Sequence, residues 1–387
     1  MELTGRYFQD PGCSFFLFGP RGTGKSTWLK TNLRNSLRVD LLHPESYRMF
    51  AARPERLSEL IDGNPDYTTI IIDEIQKIPD LLGMVHQLIE SRKDLRFVLT
   101  GSSARKLKRS EANLLAGRAL YRTMHPFMAS ELGEKFDFHE ALNTGLLPLI
   151  VAAPDSAQAL DAYSMLYLNE EVKMEGLVRN VGDFTRFLEA ISFSNGSVLN
   201  TSEVARDCQV SRKTVENYIS ILDDLLLSFQ LPVFTKKAKR ILIAHNKFYF
   251  FDTGVYRSLR PRGQLDRAEE IDGIALETLV IQHLRAWIAY SNNKHDVFFW
   301  RTKSGNEVDF VVYGDSGIYA IEVKNAALIR TKDLSGLKAF REDYPQAHCI
   351  FLYRGKEKLV VNNVRCIPCE DFLAELCPNH PLPGLKK

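Results

Sequence analysis

The sequence predicts an α/β protein built in successive parts, and three observations carry that expectation. Residues 1 to about 135 alternate short apolar runs with helical stretches, the pattern of a parallel sheet. Residues from about 136 to 198 show no strand-like alternation and read as helical. From Lys247 onward β-branched and aromatic runs return, so a second α/β or α+β region begins there. The expected parts are 1–135, 136–198, 199–246 and 247–387.

In the first part the expected strands are Phe15–Phe18, Val39–Leu42, Ile70–Ile72, Phe97–Thr100 and Ala119–Arg122. The first leads into Gly19-Pro20-Arg21-Gly22-Thr23-Gly24-Lys25-Ser26, and Thr27–Leu33 reads as the helix that follows. The segment fits G-x-x-x-x-G-K-[ST], a phosphate-binding loop. Its glycines let several N–H groups point at one anion, and the helix N-terminus adds partial positive charge. Lys25 would reach the β- and γ-phosphates, and the Ser26 hydroxyl would bind Mg²⁺. The apolar run Thr69–Ile72 reads as a buried parallel strand and ends in Asp73-Glu74. Asp73 would hold Mg²⁺ through water, and Glu74 would orient or deprotonate the attacking water. The fourth expected strand ends in Thr100-Gly-Ser-Ser103. There Ser102 or Ser103 would lie between the two nucleotide-site strands and sense the γ-phosphate, with a plain turn as the alternative. The run Arg105–Arg109 is a local basic patch that could touch phosphates. Arg118 is a candidate arginine finger, acting in its own or a neighbouring subunit, against the default of a salt-bridged structural arginine. The nucleotide contacts expected are thus Gly19 to Thr27, Asp73 and Ser102.

In the helical middle, Leu160–Val178 and Phe184–Phe193 read as helices. Asn200 to Leu222 looks like a helix-turn-helix, with Ser211 as N-cap. Val215, Tyr218, Ile219, Leu222, Leu225 and Leu226 form a stripe at helical spacing. Arg212, Lys213, Glu216, Asn217 and Ser220 then face outward, where a recognition helix would meet a major groove. The acidic Glu216, Asp223 and Asp224 oppose contact with phosphates, and Lys236, Lys237, Lys239 and Arg240 could restore attraction as part of a wing. DNA contact and a purely structural lid stand as equal alternatives here.

The C-terminal part holds a second constellation. Glu307–Tyr313 and Ile318–Lys324 are strands joined by Gly314-Asp-Ser-Gly317, a strong hairpin signal. If Tyr313 pairs with Ile318, Asp309 falls opposite Glu322, with Cβ atoms roughly 4.5–5.5 Å apart. Lys324 shares that face. Opposed carboxylates repel, and a divalent metal would remove the repulsion. Glu277 lies with Gly273, Val280, Ile281, Leu284 and Ile288 on one core-facing helix stripe, where an unpaired carboxylate is costly. It too could turn to the metal. Mg²⁺ on Glu277, Asp309, Glu322 and the Val323 carbonyl, with Lys324 positioning the nucleophile, would suit phosphodiester hydrolysis. Glu322 and Lys324 are the catalytic candidates.

Length and composition set outer limits. A chain of 387 residues can build two or three cores, and a net charge of +2 gives no overall field toward nucleic acid or membrane. No apolar run is long enough to span a membrane, and Met1-Glu-Leu-Thr lacks the start of a signal peptide. Six scattered cysteines suit a reducing, cytoplasmic setting. Cys366, Cys369, Cys377 and His380 have zinc-like spacing, but ordinary cysteines are the preferred reading.

Glu277 with Asp309-x12-Glu322-Val-Lys324 resembles the PD-(D/E)-x-K nuclease superfamily, although Val308 stands where the motif has proline. The whole chain resembles a widespread bacterial and archaeal family that joins an AAA-type ATPase module to a C-terminal domain of unknown function with that nuclease-like core. The carrying residues are Gly19–Ser26, Ile70–Glu74, Thr100–Ser103, Ala116–Arg118, Phe248–Gly254, Trp300-Arg301, Glu307–Phe310 and Ile321–Lys324. The resemblance implies a P-loop ATPase domain, a helical lid, a winged helix and a nuclease-like domain in the four parts above. It implies ATP and Mg²⁺ at Lys25, Ser26 and Asp73, with Glu74 hydrolytic. The expected function is a Mg²⁺-dependent ATPase whose C-terminal part acts on or binds nucleic acid, DNA before RNA. The alternative is a nucleotide-controlled switch that uses that part for binding only. A homo-oligomer is compatible with either, and no membrane partner is expected.

Overall fold

The computed structural model describes residues 4–102, 115, 117–167, 180–236, 240, 242–243, 245–261, 263 and 266–384. Two compact units are present: residues 8–125 with 224–226, and residues 1–7, 126–223 and 227–387.

The smaller unit is a five-stranded parallel sheet. Its strands are β1 (Phe15–Phe18), β2 (Leu37–Asp40), β3 (Thr69–Asp73), β4 (Arg96–Gly101) and β5 (Leu120–Thr123), in the order β2-β3-β4-β1-β5. β1 is buried along its whole length, as a central parallel strand should be. Phe16, Phe18, Val39, Phe50, Ile70, Ile72, Phe97 and Leu99 belong to the core of this unit. The order seats β4 between β1 and β3, so three strand ends that carry polar residues adjoin. β2 ends earlier than the expected Val39–Leu42, because the Asp40 carboxylate accepts the Leu42 N–H at 2.8 Å and turns the chain. Ser103, Arg105–Arg109 and Ala116 lie outside the described residues.

The larger unit begins with short helices, among them Phe138–Thr144 and Ser156–Ala162. The helix expected from Leu160 starts earlier, since Asp155 caps it by accepting the Gln158 N–H. Residues 168–179, most of the rest of that expected helix, lie outside the described residues. Asn180 caps Val181–Ser192 in the same way, which moves the start back from Phe184. The strand-free reading of 136–198 needs one correction: Ser197–Val198 is a strand, β6, too short to show alternation.

Helices Thr201–Cys208 and Arg212–Asp224 follow, joined through Gln209 in a left-handed conformation (φ 57°). The Ser211 hydroxyl accepts the Thr214 N–H at 3.1 Å, the expected cap. Beyond them β7 (Ser228–Leu231) and β8 (Lys247–Phe250) form an antiparallel sheet with β6, in the order β6-β8-β7. β8, expected to open the C-terminal part, is thus the middle strand of the sheet that flanks the helix pair.

The long helix Ala268–Tyr290 leads into a six-stranded mixed sheet. Its strands are β9 (His295–Arg301), β10 (Glu307–Gly314), β11 (Gly317–Val323), β12 (His348–Tyr353), β13 (Leu359–Val361) and β14 (Val364–Pro368), in the order β13-β14-β12-β11-β10-β9. Tyr313 pairs with Ile318 and Phe310 with Ile321, the register expected for the hairpin. The single apolar stripe expected on the long helix is too narrow. Ala275, Leu276, Thr278, Leu279, Gln282 and His283 are buried as well, so the helix meets core on several sides.

The Phe248–Gly254 motif proves to be a joint. Asp252 is buried and accepts the N–H groups of Gly254, Val255 and Leu146. A Cβ at Gly145 would collide with its carboxylate, and one at Gly254 with the Thr144 carbonyl.

Candidate functional site

The first site stands where β1 ends. Gly22 (φ 84°) and Gly24 (φ 90°) hold left-handed backbone that a side chain would strain, and Gly24 opens helix Lys25–Asn32. Thr23 braces the turn by donating its hydroxyl to the Pro20 carbonyl at 2.8 Å. Lys25 is buried, and its Nζ donates to the carbonyls of Gly19 at 2.5 Å and Pro20 at 3.1 Å. Arg21, Ser26 and Thr27 are exposed.

β3 brings its acidic end to this loop. Ser26 Oγ donates to Asp73 Oδ2 at 3.2 Å, and Thr100 Oγ1 donates to Asp73 Oδ1. Glu74 adopts a left-handed conformation (φ 59°), uncommon for a non-glycine residue and a form of strain that gathers at functional sites. Three neighbours fix it. Its N–H donates to Thr100 Oγ1 at 3.3 Å, Gln76 Nε2 donates to Glu74 Oε2, and Ser102 Oγ donates to the same oxygen at 3.3 Å. Gln76 Nε2 also reaches Ser102 Oγ at 3.2 Å. A Cβ at Gly101 would press on the Gln76 amide and shift it from this position. Lys25, Ser26, Asp73, Glu74 and Ser102 therefore share one strand-end cluster, and Thr100 and Gln76 are members that sequence reasoning missed. The groups fit a nucleotide with Mg²⁺: a glycine cradle, a helix N-terminus, and a hydroxyl beside a carboxylate. Arg118, in the turn before β5, forms an ion pair with Glu90.

The second site lies in the larger unit, and four carboxylates meet there. Glu307 and Asp309 are on β10, Glu322 on β11, and Glu277 on the long helix. The register between β9 and β10 shifts across Val308–Val311, an irregularity of the kind that re-aims side chains. At the centre is Lys247 of β8, with 3 % of its side chain exposed. Its Nζ lies 2.7 Å from Glu307, 3.2 Å from Glu277 and 3.6 Å from Asp309. Tyr249, on the same face of β8, donates its hydroxyl to Glu277 Oε1. Asp309 Oδ2 accepts the Val323 N–H at 2.8 Å, and Lys324 Nζ is 2.7 Å from Glu322 Oε1. Glu322 Oε2 is buried with no hydrogen-bond partner.

Burial and repulsion dominate the electrostatics. Burial pushes Glu277 up to about 7, with Lys247 pulling against it and Asp309 adding to it. Burial and then Asp309 raise Glu322 well above the carboxylate range, opposed by Lys324. Burial works against the charge on Lys247, but Glu277, Tyr249, Asp309 and Glu307 outweigh it and hold the amine well above its ordinary value.

At the divalent site expected on Glu277, Asp309 and Glu322 the structure places the Lys247 amine. An ammonium group stands among the oxygens, and the Asp309 oxygens face the Val323 N–H at 2.8 Å and Lys247 at 3.6 Å. Among the described residues, no group of three or more His, Cys, Asp or Glu side chains is arranged to hold a metal ion. The residues do not fit the ion, so no catalytic step follows for Glu322 and Lys324.

Other expected residues are placed as follows. Arg212, Lys213, Glu216, Asn217 and Ser220 are exposed, with Arg212 paired to Glu216 at 2.8 Å. Of the wing charges, Lys236 lies over the Tyr313 ring at 4.1 Å and Arg240 pairs with Glu342 and Asp343 at 2.7 and 3.1 Å. Lys237 and Lys239 lie outside the described residues. Cys366 and Cys369 are buried, Cys377 Sγ contacts the Tyr7 hydroxyl at 3.4 Å, and His380 Nδ1 faces the Pro378 carbonyl at 3.1 Å. No helix among the described residues is long and apolar enough to cross a membrane.

Comparison with known families divides the chain into three. Residues 14–133 match an AAA domain, which makes the smaller unit a P-loop domain of that kind. Residues 135–266 and 272–372 match two domains of unknown function, DUF8612 and DUF4143. No curated protein matches. Among solved structures the chain is similar to domain III of the replication initiation protein DnaA from Thermotoga maritima. That match has 12 % identity, covers 43 % of this chain and 80 % of that one, and has a TM-score of 0.24. It is also similar to AMPPCP-bound DnaA from Aquifex aeolicus, at 13 % identity over 54 % of this chain and 81 % of that one, TM-score 0.25. A third is the replication initiator DnaA bound to AMPPCP and single-stranded DNA, at 11 % identity over 55 % and 82 %, TM-score 0.25.

Proposed function

We propose that this chain is a Mg²⁺-dependent ATPase whose larger unit binds nucleic acid, DNA before RNA, without cutting it. The observation that carries the first half is the cluster of Ser26, Asp73, Glu74, Thr100, Ser102 and Gln76 beside a glycine loop, within a matched AAA domain. Amides of Gly19 to Thr27 bind the triphosphate, and Lys25 leaves the loop carbonyls for the β- and γ-phosphates. Ser26 and Asp73 hold the ion, which supplies charge neutralisation on the phosphates. Glu74 orients water for attack and accepts its proton, while Gln76 and Ser102 aim that carboxylate and place a hydroxyl near the γ-phosphate. Arg118, with 40 % of its side chain exposed, is the candidate arginine finger, for the nucleotide of its own or a neighbouring subunit.

For the second half, the support is the exposed face of helix Arg212–Asp224, flanked by strands as in a winged helix. Cleavage is set aside because Lys247 stands where an ion would work. A nucleotide-controlled binding switch in the cytoplasm is the form of activity these parts favour. The test of the core reading is calorimetry of ATP binding with an assay of phosphate release. Wild type shows both, and Lys25→Ala, still folded by circular dichroism, shows neither. A wild type without heat of ATP association, or a Lys25→Ala protein that behaves like it, sinks the reading.

A further inference from the structure

We propose that Lys247 is a tethered counter-ion that keeps divalent cations out of the carboxylate centre of the C-terminal sheet. The amine does not belong to that sheet. It is delivered by β8, whose backbone pairs with β6 at Val198 and with β7 at Leu231. Phe248 and Phe250 beside it are buried, so the strand's register and packing fix the amine in place.

Distances distinguish the two occupants. Divalent cations of the Mg²⁺ and Ca²⁺ type take six or more oxygens at roughly 2.0–2.6 Å. The oxygens around Lys247 lie at 2.7, 3.2 and 3.6 Å, the first two at distances that suit an ammonium donor and the third an ion pair. Three oxygens of the cluster carry further partners. Glu277 Oε1 takes the Tyr249 hydroxyl, Asp309 Oδ2 takes the Val323 N–H, and Glu322 Oε1 takes Lys324. Glu322 Oε2 is the buried oxygen of the group left without a hydrogen bond. An ion entering here would have to displace the ammonium group and the partners of Glu277 Oε1, Asp309 Oδ2 and Glu322 Oε1. The four carboxylates face Lys247, Lys324 and Arg301, whose guanidinium lies 3.5 Å from Glu307. The protein has thus supplied from its own side chains the positive charge that an ion would bring. Removing Lys247 leaves Glu277 and Asp309 facing a vacated volume without the charge that balanced them, and a divalent cation from solution is then the group that can restore it.

Mn²⁺ binding to the full chain without nucleotide, followed by electron paramagnetic resonance, tests this. A Lys25→Ala background with Asp73→Asn removes the carboxylate that the phosphate loop offers an ion, so its failure leaves the ATPase reading untouched. In that background the protein is expected to bind no Mn²⁺ that Glu322→Gln removes, even at millimolar concentration. Adding Lys247→Met with Glu307→Gln, which deletes one surplus carboxylate, is expected to gain one bound Mn²⁺ about tenfold tighter or more. Glu322→Gln should then abolish it. Mn²⁺ binding that depends on Glu322 while Lys247 is present overturns the proposal, as does a folded double variant that gains none. Should the double variant fail to fold, the comparison with and without Glu322→Gln at intact Lys247 decides alone. Equal Mn²⁺ signals and equal Mn²⁺ shifts in melting temperature support the proposal, and unequal ones refute it.

Discussion

Around Ser26 the chain leaves a carboxylate facing outward with only hydroxyl partners, whereas around Lys247 it neutralises carboxylates within its own core. Asp73 accepts from Ser26 and Thr100, which steady it without cancelling its charge. Glu277, Glu307 and Asp309 share a buried ammonium that does cancel charge. The first arrangement leaves its charge open to solution; the second sets Lys247, Lys324 and Arg301 against its carboxylates. Solvated charge costs little stability and is available for chemistry, while buried charge is costly unless paired and then becomes structural.

The sharpest way to break this contrast is to remove the central cation from each cluster. Lys247→Met should destabilise the larger unit by about 3–5 kcal/mol, because carboxylates remain buried without their partner. Urea unfolding measures it, and a loss below 1 kcal/mol would place this pair with surface salt bridges. Lys25→Ala should do the reverse, lowering ATP turnover about 100-fold or more while leaving the unfolding midpoint near wild type. Next comes pH. Glu277 rises from an ordinary 4.5 to about 7 in the folded chain. Between those values the folded protein holds a proton that the unfolded chain releases. Stability is therefore gained as pH falls through the window, by on the order of 3 kcal/mol at most, and Glu277→Gln should flatten that slope. Unfolding on either side of the window reads the difference. The smallest effect is expected for Ser102→Ala, which removes one of several bonds to Glu74 and should slow hydrolysis about tenfold at most with ATP affinity kept.

Legibility in the sequence followed the same divide. The nucleotide cluster is written in contiguous segments at strand ends, Gly19–Ser26 and Asp73-Glu74, so a local pattern finds it. Gln76 escaped because its reach back to the carboxylate depends on the left-handed turn at Glu74, which no spacing rule encodes. The carboxylate pairing of Asp309 and Glu322 was readable from hairpin register. What neutralises it was not, since Lys247 comes from a different sheet, 30 residues before Glu277. A signal did exist. Lys247 and Tyr249 put two polar tips on one face of the run Lys247-Phe-Tyr-Phe250, every residue of which is buried. Such a face needs partners, and carboxylates are the natural ones. The long helix misled for a related reason: periodicity assumes one wet side, and Ala268–Tyr290 has almost none.

Asp252 bears on how the chain is made. Its carboxylate holds the amide of Leu146, 106 residues earlier. At ~5–20 residues per second of synthesis, the turn at Leu146 emerges roughly 5–20 s before the group that secures it. Through that interval the nascent helix Phe138–Thr144 is without the bond that secures the turn after it.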